Sequence, residues 1–401
     1  MGLIIGMDTS PTTTTASGGR AWVRNPDWLA LPTVVSGDDM MYGLFAVYEN
    51  AYNHVGISLS GSNPVGNIDW GDGTTSLSFN STVKQEKVYS YAAVTGSVLV
   101  DDFGDNYKMV IIEVEILNNA TAIYIDRSPT TGFGQNAAVN WLDVIIDCAT
   151  MTVLSVRNDQ VSSLLQRLQI IDNAITSLSF VYSTLPALRI LQADFSSNTG
   201  AASYAFQQVG DIRQNDDSAV NINMPSATTA TSAFTTSSAT ALGTVTLTAA
   251  TDVSSIFTVC KDLVSIGTMD FSTASIMGSA FSYCYSLRTI GNITTTTALN
   301  GSCASMFRGC GQLRGVNISN MNNVTSLSAA FTDTGSLTSV ILTGLTKTVD
   351  LQYNMMDADA IDALFTSLGT AVAQTISVDN NPGAATCDPT IATAKGWTVV
   401  V

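Results

Sequence analysis

Three thiols in this chain share one setting. Cys260, Cys284 and Cys310 each follow a phenylalanine by three residues (Phe257, Phe281, Phe307) and precede a leucine by three (Leu263, Leu287, Leu313). Thiols at a fixed spacing can ligate zinc, pair as disulfides or act as nucleophiles once ionised. Zinc usually asks for C-x2-C pairs or nearby histidines, and the sequence offers neither here. Each thiol holds the same place in its own repeat, which predicts a column of small buried apolar groups. A fourth copy agrees: Phe331, Thr334, Leu337 and Val340 keep everything but the sulfur. Cys148, Cys303 and Cys387 show no pairing pattern of their own.

Other chemistry is sparse. The only histidine, His54, heads an apolar stretch, and no serine or cysteine motif pairs with it as a triad would require. Adjacent carboxylates occur at Asp38-Asp39, Asp101-Asp102 and Asp216-Asp217. Neighbours on a strand point to opposite faces, whereas a glycosidase needs two carboxyls about 5–10 Å apart facing one sugar. Asp69 and Asp72, with Asp101 or Asp102, are the calcium candidates, although their spacing misses the EF-hand pattern. No phosphate loop or dinucleotide fingerprint is present. The expectation is a protein without catalytic residues, cofactor or metal centre.

The charge balance narrows the partners. Among 401 residues there are 16 Lys+Arg against 32 Asp+Glu, a net charge of −16. Phosphate contacts need clusters of Lys and Arg, so neither nucleic acid nor an anionic membrane is an expected partner. Met1–Asp8 lacks the basic start of a signal peptide, and no window approaches a membrane-spanning apolar length, so no membrane insertion is expected.

The elements that must position these residues follow from the spacing. F-x2-C-x2-L-x2-I runs through Phe257, Cys260, Leu263, Ile266; Phe281, Cys284, Leu287, Ile290; Phe307, Cys310, Leu313, Val316; and then the fourth copy. The phenylalanines lie 24, 26 and 24 residues apart. Such a period marks a solenoid, in which each rung buries its apolar face only against its neighbours. Within a rung, the Phe-to-Cys stretch predicts one helical turn, and the residues from Leu onward predict a short strand. A looser leucine pattern from Trp141, with degenerate copies opened by Phe206 and Phe234, extends the count to eight or nine rungs over 140–350. Asn215–Ser218 reads as a protruding loop.

Residues 351–401 read as a capping rung: a helix through Ile361, Leu364 and Phe365 ending at Gly369, a strand at Thr375–Val378, a short helix opened by Asp388-Pro389 and stopped at Gly396, and a last strand from Trp397 that lays its indole over the open end. Before the solenoid, 1–21 reads as a polar arm and 121–139 as a linker. Between them, 22–120 alternates as short strands around a hairpin turn, with Trp70 inward and Asp72-Gly73 supplying positive φ. The spacing predicts a mainly β chain with short helices, an N-terminal β-sandwich followed by a solenoid.

Three stretches carry resemblances. Asp69-Trp-Gly-Asp-Gly-Thr74, followed by Tyr89-Ser-Tyr91, resembles the polycystic-kidney-disease (PKD) type of sandwich. Asn25-Pro-Asp-Trp-Leu-Ala-Leu-Pro32 joined to that turn resembles the front end of phage virion and tail-fibre proteins. The rung resembles the BspA-like leucine-rich repeats of bacterial surface and phage proteins, and Met306-Phe307-Arg-Gly-Cys310-Gly-Gln-Leu313 carries the full form. These resemblances imply that the sandwich is immunoglobulin-like and the solenoid leucine-rich-repeat-like. They also imply a bacteriophage structural protein, a tail-fibre or host-adhesion component, assembled in the host cytoplasm and residing in the virion. They further imply contacts to other virion proteins through the arm and sandwich, contact with a host-surface glycan or protein, and a homo-oligomer. A head-decoration or tail-lattice protein is the alternative; a bacterial surface adhesin or a glycan-degrading enzyme ranks behind both.

Overall fold

The computed structural model describes residues 23–61, 65–80, 84–117, 120–125, 140–155, 164–176, 178, 185–214, 218–295 and 299–401. The polar arm, most of the expected linker and the loop at 215–217 lie outside the described residues. The described residues are mainly β, with two short helices among them, both near the C-terminus.

The first strands in order are β1 (Met40–Tyr48), β2 (Asn53–Gly61), β3 (Val65–Asp69), β4 (Thr75–Asn80), β5 (Gln85–Tyr89), β6 (Leu99–Val100), β7 (Asn106–Leu117), β8 (Ala120–Tyr124), β9 (Trp141–Ile146), β10 (Val153–Ser155), β11 (Arg167–Ile170) and β12 (Ile190–Gln192). They form an eight-stranded sheet in the order β12-β11-β9-β1-β7-β3-β4, with β6 also on β7, and a four-stranded sheet in the order β10-β8-β2-β5. Side chains of both sheets meet in one core, where Phe45 packs edge-on against Trp141 at 5.3 Å and lies 5.8 Å from Tyr89. The segment expected as linker from 121 therefore begins within a strand, β8, which pairs with β2.

Pairing changes character along these sheets. β1, β3, β4 and β7 are antiparallel, and β9 joins β1 antiparallel; beyond it β9, β11 and β12 run parallel. The second sheet makes the same switch, from antiparallel β2·β8 to parallel β8·β10. The solenoid thus grows directly out of the edges of the two sheets, and both regions share one hydrophobic cluster.

From these edges the chain winds into a β-solenoid of about ten turns. Parallel pairing holds the rungs in register: Leu242 with Ile266, Ile266 with Ile290, Val316 with Val340. The Phe-to-Cys stretch is not the expected helical turn. Ser255 and Val259 have φ of 54° and 62°, as do their equivalents Ser279 and Tyr283 at 56° and 62°. The stretch is a run of overlapping turns, closed by Thr258 N–H to Ser255 O and Cys260 N–H to Phe257 O. Alternate N–H groups then point along the stack: those of Ser255, Phe257 and Val259 donate to Gly278, Ala280 and Ser282 O at 2.9, 2.8 and 2.8 Å. A helix would satisfy its own backbone and leave the rungs unbonded here.

The C-terminal turn contains a helix at Ala358–Ser367, capped by the Asp357 carboxylate on Ala360 N–H, then strands Gln374–Ser377 and Trp397–Val400. Asp388 accepts from Thr390 N–H at the start of the short helix Thr390–Thr393, and Gly396 follows with φ of 89°. Trp397 is buried, with its indole N–H on Gly369 O at 2.8 Å, so it fills the inside of this turn and does not lie over an outer end.

Candidate functional site

The repeat residues converge on the solenoid axis. Phe206, Phe234, Phe257, Phe281, Phe307 and Phe331 form one column, with successive centroids 4.7, 5.2, 5.4, 5.2 and 5.6 Å apart. The two degenerate copies therefore belong to the same stack. Leu263, Leu287, Leu313 and Leu337 are buried beside it, with Ile266, Val316 and Val340; Ile290 is only partly buried.

The thiols do more than fill space. Cys260 Sγ donates to Phe234 O at 2.9 Å, Cys284 to Phe257 O and Cys310 to Phe281 O at 3.0 Å. Each stitches its rung to the preceding one. Two polar residues hold the same place: Ser237 Oγ donates to Val209 O, and Thr334 Oγ1 to Phe331 O. Burial pushes the Cys284 thiol well up, and the Cys284 contact together with burial does the same for Cys310. Burial pushes Cys303 up to about 12. A nucleophilic sulfur attacks as thiolate, and these shifts hold the three thiols protonated near neutrality.

The candidates in the N-terminal region are occupied by local structure. Asp69 accepts from Gly71 N–H, while Asp72 pairs with Lys87 at 2.6 Å and accepts from Thr74. Partial burial raises the Asp72 pKa, but the Lys87 ammonium and Thr74 more than offset it and hold the carboxyl below its ordinary range. Among the described residues no group of three or more His, Cys, Asp or Glu side chains is placed to hold a metal. Trp70 is buried, and its carbonyl accepts from Tyr89 OH at 2.6 Å. The left-handed residues of this turn are Gly71 and Gly73, not Asp72; a Cβ on Gly71 would strike Ile111 O. His54 is buried and stacks on Tyr52, and its Nε2 lies 3.7 Å from Glu86 with no hydrogen-bond partner among the described residues. Asp101 accepts from Phe103 and Asp105 N–H within its own loop.

Sequence reasoning did not single out the outer face of the solenoid residue by residue. Strand alternation turns Thr244, Thr246, Thr268, Asp270, Asn292, Thr294 and Asn317 away from the core, on rungs about 4.8 Å apart. The signal was the alternation in Thr244-Val-Thr-Leu-Thr248 and Thr268-Met-Asp-Phe-Ser272. This face offers hydroxyls and amides in rows, a surface for many weak polar contacts.

Compared with known proteins, the chain matches no family model, no curated protein and no solved structure. No helix among the described residues is long and apolar enough to cross a membrane.

Proposed function

We propose that this chain is a displayed, non-catalytic structural protein of a bacteriophage particle, a tail-fibre or host-adhesion component. The observation that carries the reading is the division of labour across the rungs: their thiol and phenylalanine side chains are withdrawn into the stack, while the outer face repeats Thr, Asn and Asp at β-spacing. A repeated polar face binds through many weak contacts multiplied by copy number. The resemblances of the lead-in at 25–32 and of the Met306–Leu313 rung to phage proteins support the same reading, with the two N-terminal sheets taken as a PKD-like sandwich and the rungs as BspA-like repeats. On this reading the sandwich faces other virion proteins, the solenoid faces a host-surface glycan or protein, and the chain works as a homo-oligomer.

Labelling this chain with antibody on purified particles, followed by imaging, tests the reading. A few dozen copies or fewer at the tail, and binding of the pure protein to host envelopes, are expected. Hundreds of copies on the head would make it a decoration protein instead, and its absence from particles would sink the proposal.

A further inference from the structure

The ladder of backbone bonds between rungs stops short. In each rung of the phenylalanine stack, four alternate N–H groups donate to the next rung along. From the rung of Cys303 the donors are Cys303, Ser305, Phe307 and Gly309, whose acceptors are the carbonyls of Ser326, Ser328, Ala330 and Thr332. The equivalent donors one rung later are Leu327, Ala329, Phe331 and Asp333. Their N–H groups have no hydrogen-bond partner among the described residues. The cause lies in the next turn: after the strand Val349–Asp350 the chain passes through Tyr353 and Asn354 straight to the helix Ala358–Ser367, without a phenylalanine copy. Buried Asn354 ties this turn to the rung before it, its side-chain oxygen accepting from Leu337 N–H.

The missing half-rung leaves a cavity of about 750 Å³ lined by Leu327, Ala329, Phe331 and Asp333 on one side and by Asp350, Gln352 and Tyr353 on the other. That volume suits a bound small ligand. Leu327 and Phe331 are each only 5 % exposed, so there is little apolar surface to bury; Tyr353 is 68 % exposed. Unmet N–H donors call for acceptor oxygens. Two carboxylates, in a chain of net charge −16, disfavour an anion and call for hydroxyl donors. A free aromatic ring calls for a flat partner with polarised C–H groups. A peptide would supply carbonyls, but it would gain little from so small an apolar floor.

The geometry points to this notch as a binding site for a neutral oligosaccharide, whose oxygens accept from the Ala329, Phe331 and Asp333 N–H groups, whose hydroxyls donate to Asp333 and Asp350, and whose ring face lies on Tyr353. This deepens the adhesion reading by naming a ligand class, and it rests on that reading only for its biological use.

Amide spectra of the intact, 15N-labelled protein test it, with cellotetraose, chitotetraose and mannotetraose as neutral probes, sialyllactose as an anionic one and a synthetic copy of residues 302–311 as a peptide. At least one neutral sugar should shift the amides of Ala329, Phe331 and Asp333, and sialyllactose should not. Tyr353→Ala should weaken that binding about tenfold while leaving the thermal midpoint unchanged, since one stacking contact is lost from an exposed side chain. No shift with any neutral sugar, an equal response to sialyllactose, or a response to the peptide alone would overturn the assignment, the last in favour of a protein partner. Host-cell binding by a protein whose notch amides respond to no neutral sugar would sink the notch and leave the adhesion reading standing. Sugar shifts without any cell binding would do the reverse.

Discussion

The thiol of Cys284 donates to the carbonyl of Phe257, 3.0 Å away and one rung back. That carbonyl also accepts from Cys260 N–H within its own rung, so its two lone pairs serve the turn and the stack at once. A position that reads in sequence as a small apolar filler is therefore a donor between rungs, which explains why serine can replace cysteine at Ser237; Thr334 keeps a donor there but turns it to Phe331 O within its own rung.

Cys284→Ala removes the donor and leaves a small void, and should cost about 1–2 kcal/mol in urea unfolding. Cys284→Ser keeps a donor and should cost less. Equal losses for the two variants would mean that packing alone fixes this residue. Iodoacetamide at mildly alkaline pH should label the half-buried Cys387 first, while the buried Cys148, Cys260, Cys284, Cys303 and Cys310 react only on unfolding.

The columns should fail locally before the fold fails globally. Phe281→Ala, in the middle of the ring stack, should cost about 3–5 kcal/mol. Hydrogen exchange should then rise first in the turns of Phe257 and Phe307, which lose a stacking partner. A backbone column gives a sharper contrast: a Cβ on Gly267 would sit 2.7 Å from Gly243 O, whereas one on Gly278 would sit 3.5 Å from Ser302 O. Gly267→Ala should destabilise by about 1–3 kcal/mol and Gly278→Ala by far less. Matching effects at the two sites would contradict the close approach of strands in these rungs.

The phenylalanine spacing made the solenoid legible because each rung repeats a burial problem with one solution, and period alone encodes it. The same spacing misled over the Phe-to-Cys stretch. Three residues between apolar positions suit a helical turn or a pair of overlapping turns equally, and the choice is made by hydrogen bonds to the next rung, which no single rung encodes. The junction of the solenoid with the first sheet was hidden for a related reason: Trp141–Ile146 pairs antiparallel with β1 and parallel with β11, and a segment buried throughout carries no alternation to show either partner. The notch was out of reach because it arises from what the turn after Val349–Asp350 omits. Acidic residues near Asp69 drew attention as ligands, but turn hydrogen bonds and Lys87 already use them.

The lead-in segment should be held by a single buried carboxylate. Asp143, with no exposed side-chain surface, accepts from Arg24 Nε at 2.8 Å and from Arg167 Nε and Nη2 at 2.7 and 2.8 Å. Arg24 also donates to Trp28 and Leu29 O, and Trp28 packs on the outer face of the eight-stranded sheet with its indole N–H on Tyr107 OH. Asp143→Ala strands two guanidinium groups and should cost about 3–5 kcal/mol. Arg24→Ala leaves the Arg167 pair intact and should cost less, yet expose Trp28 and Leu29 to chymotrypsin. Unchanged proteolysis of that variant would mean that apolar packing alone seats the segment.

His54 should make stability fall on mild acidification. Burial lowers its pKa below the ordinary 6.5, Glu86 pulls it back up in part, and Lys84 pushes it further down. The folded protein therefore keeps the imidazole neutral where the unfolded chain takes up a proton. The sign follows from that difference: the contribution is complete above the unfolded value and is lost as pH falls through it toward the folded one. His54→Phe retains a ring against Tyr52 and removes the titration. Urea midpoints of the two proteins should diverge between about pH 7 and pH 5, with the parent losing stability and the variant holding closer to level. Parallel curves through that window would show that His54 is protonated to the same extent in both states.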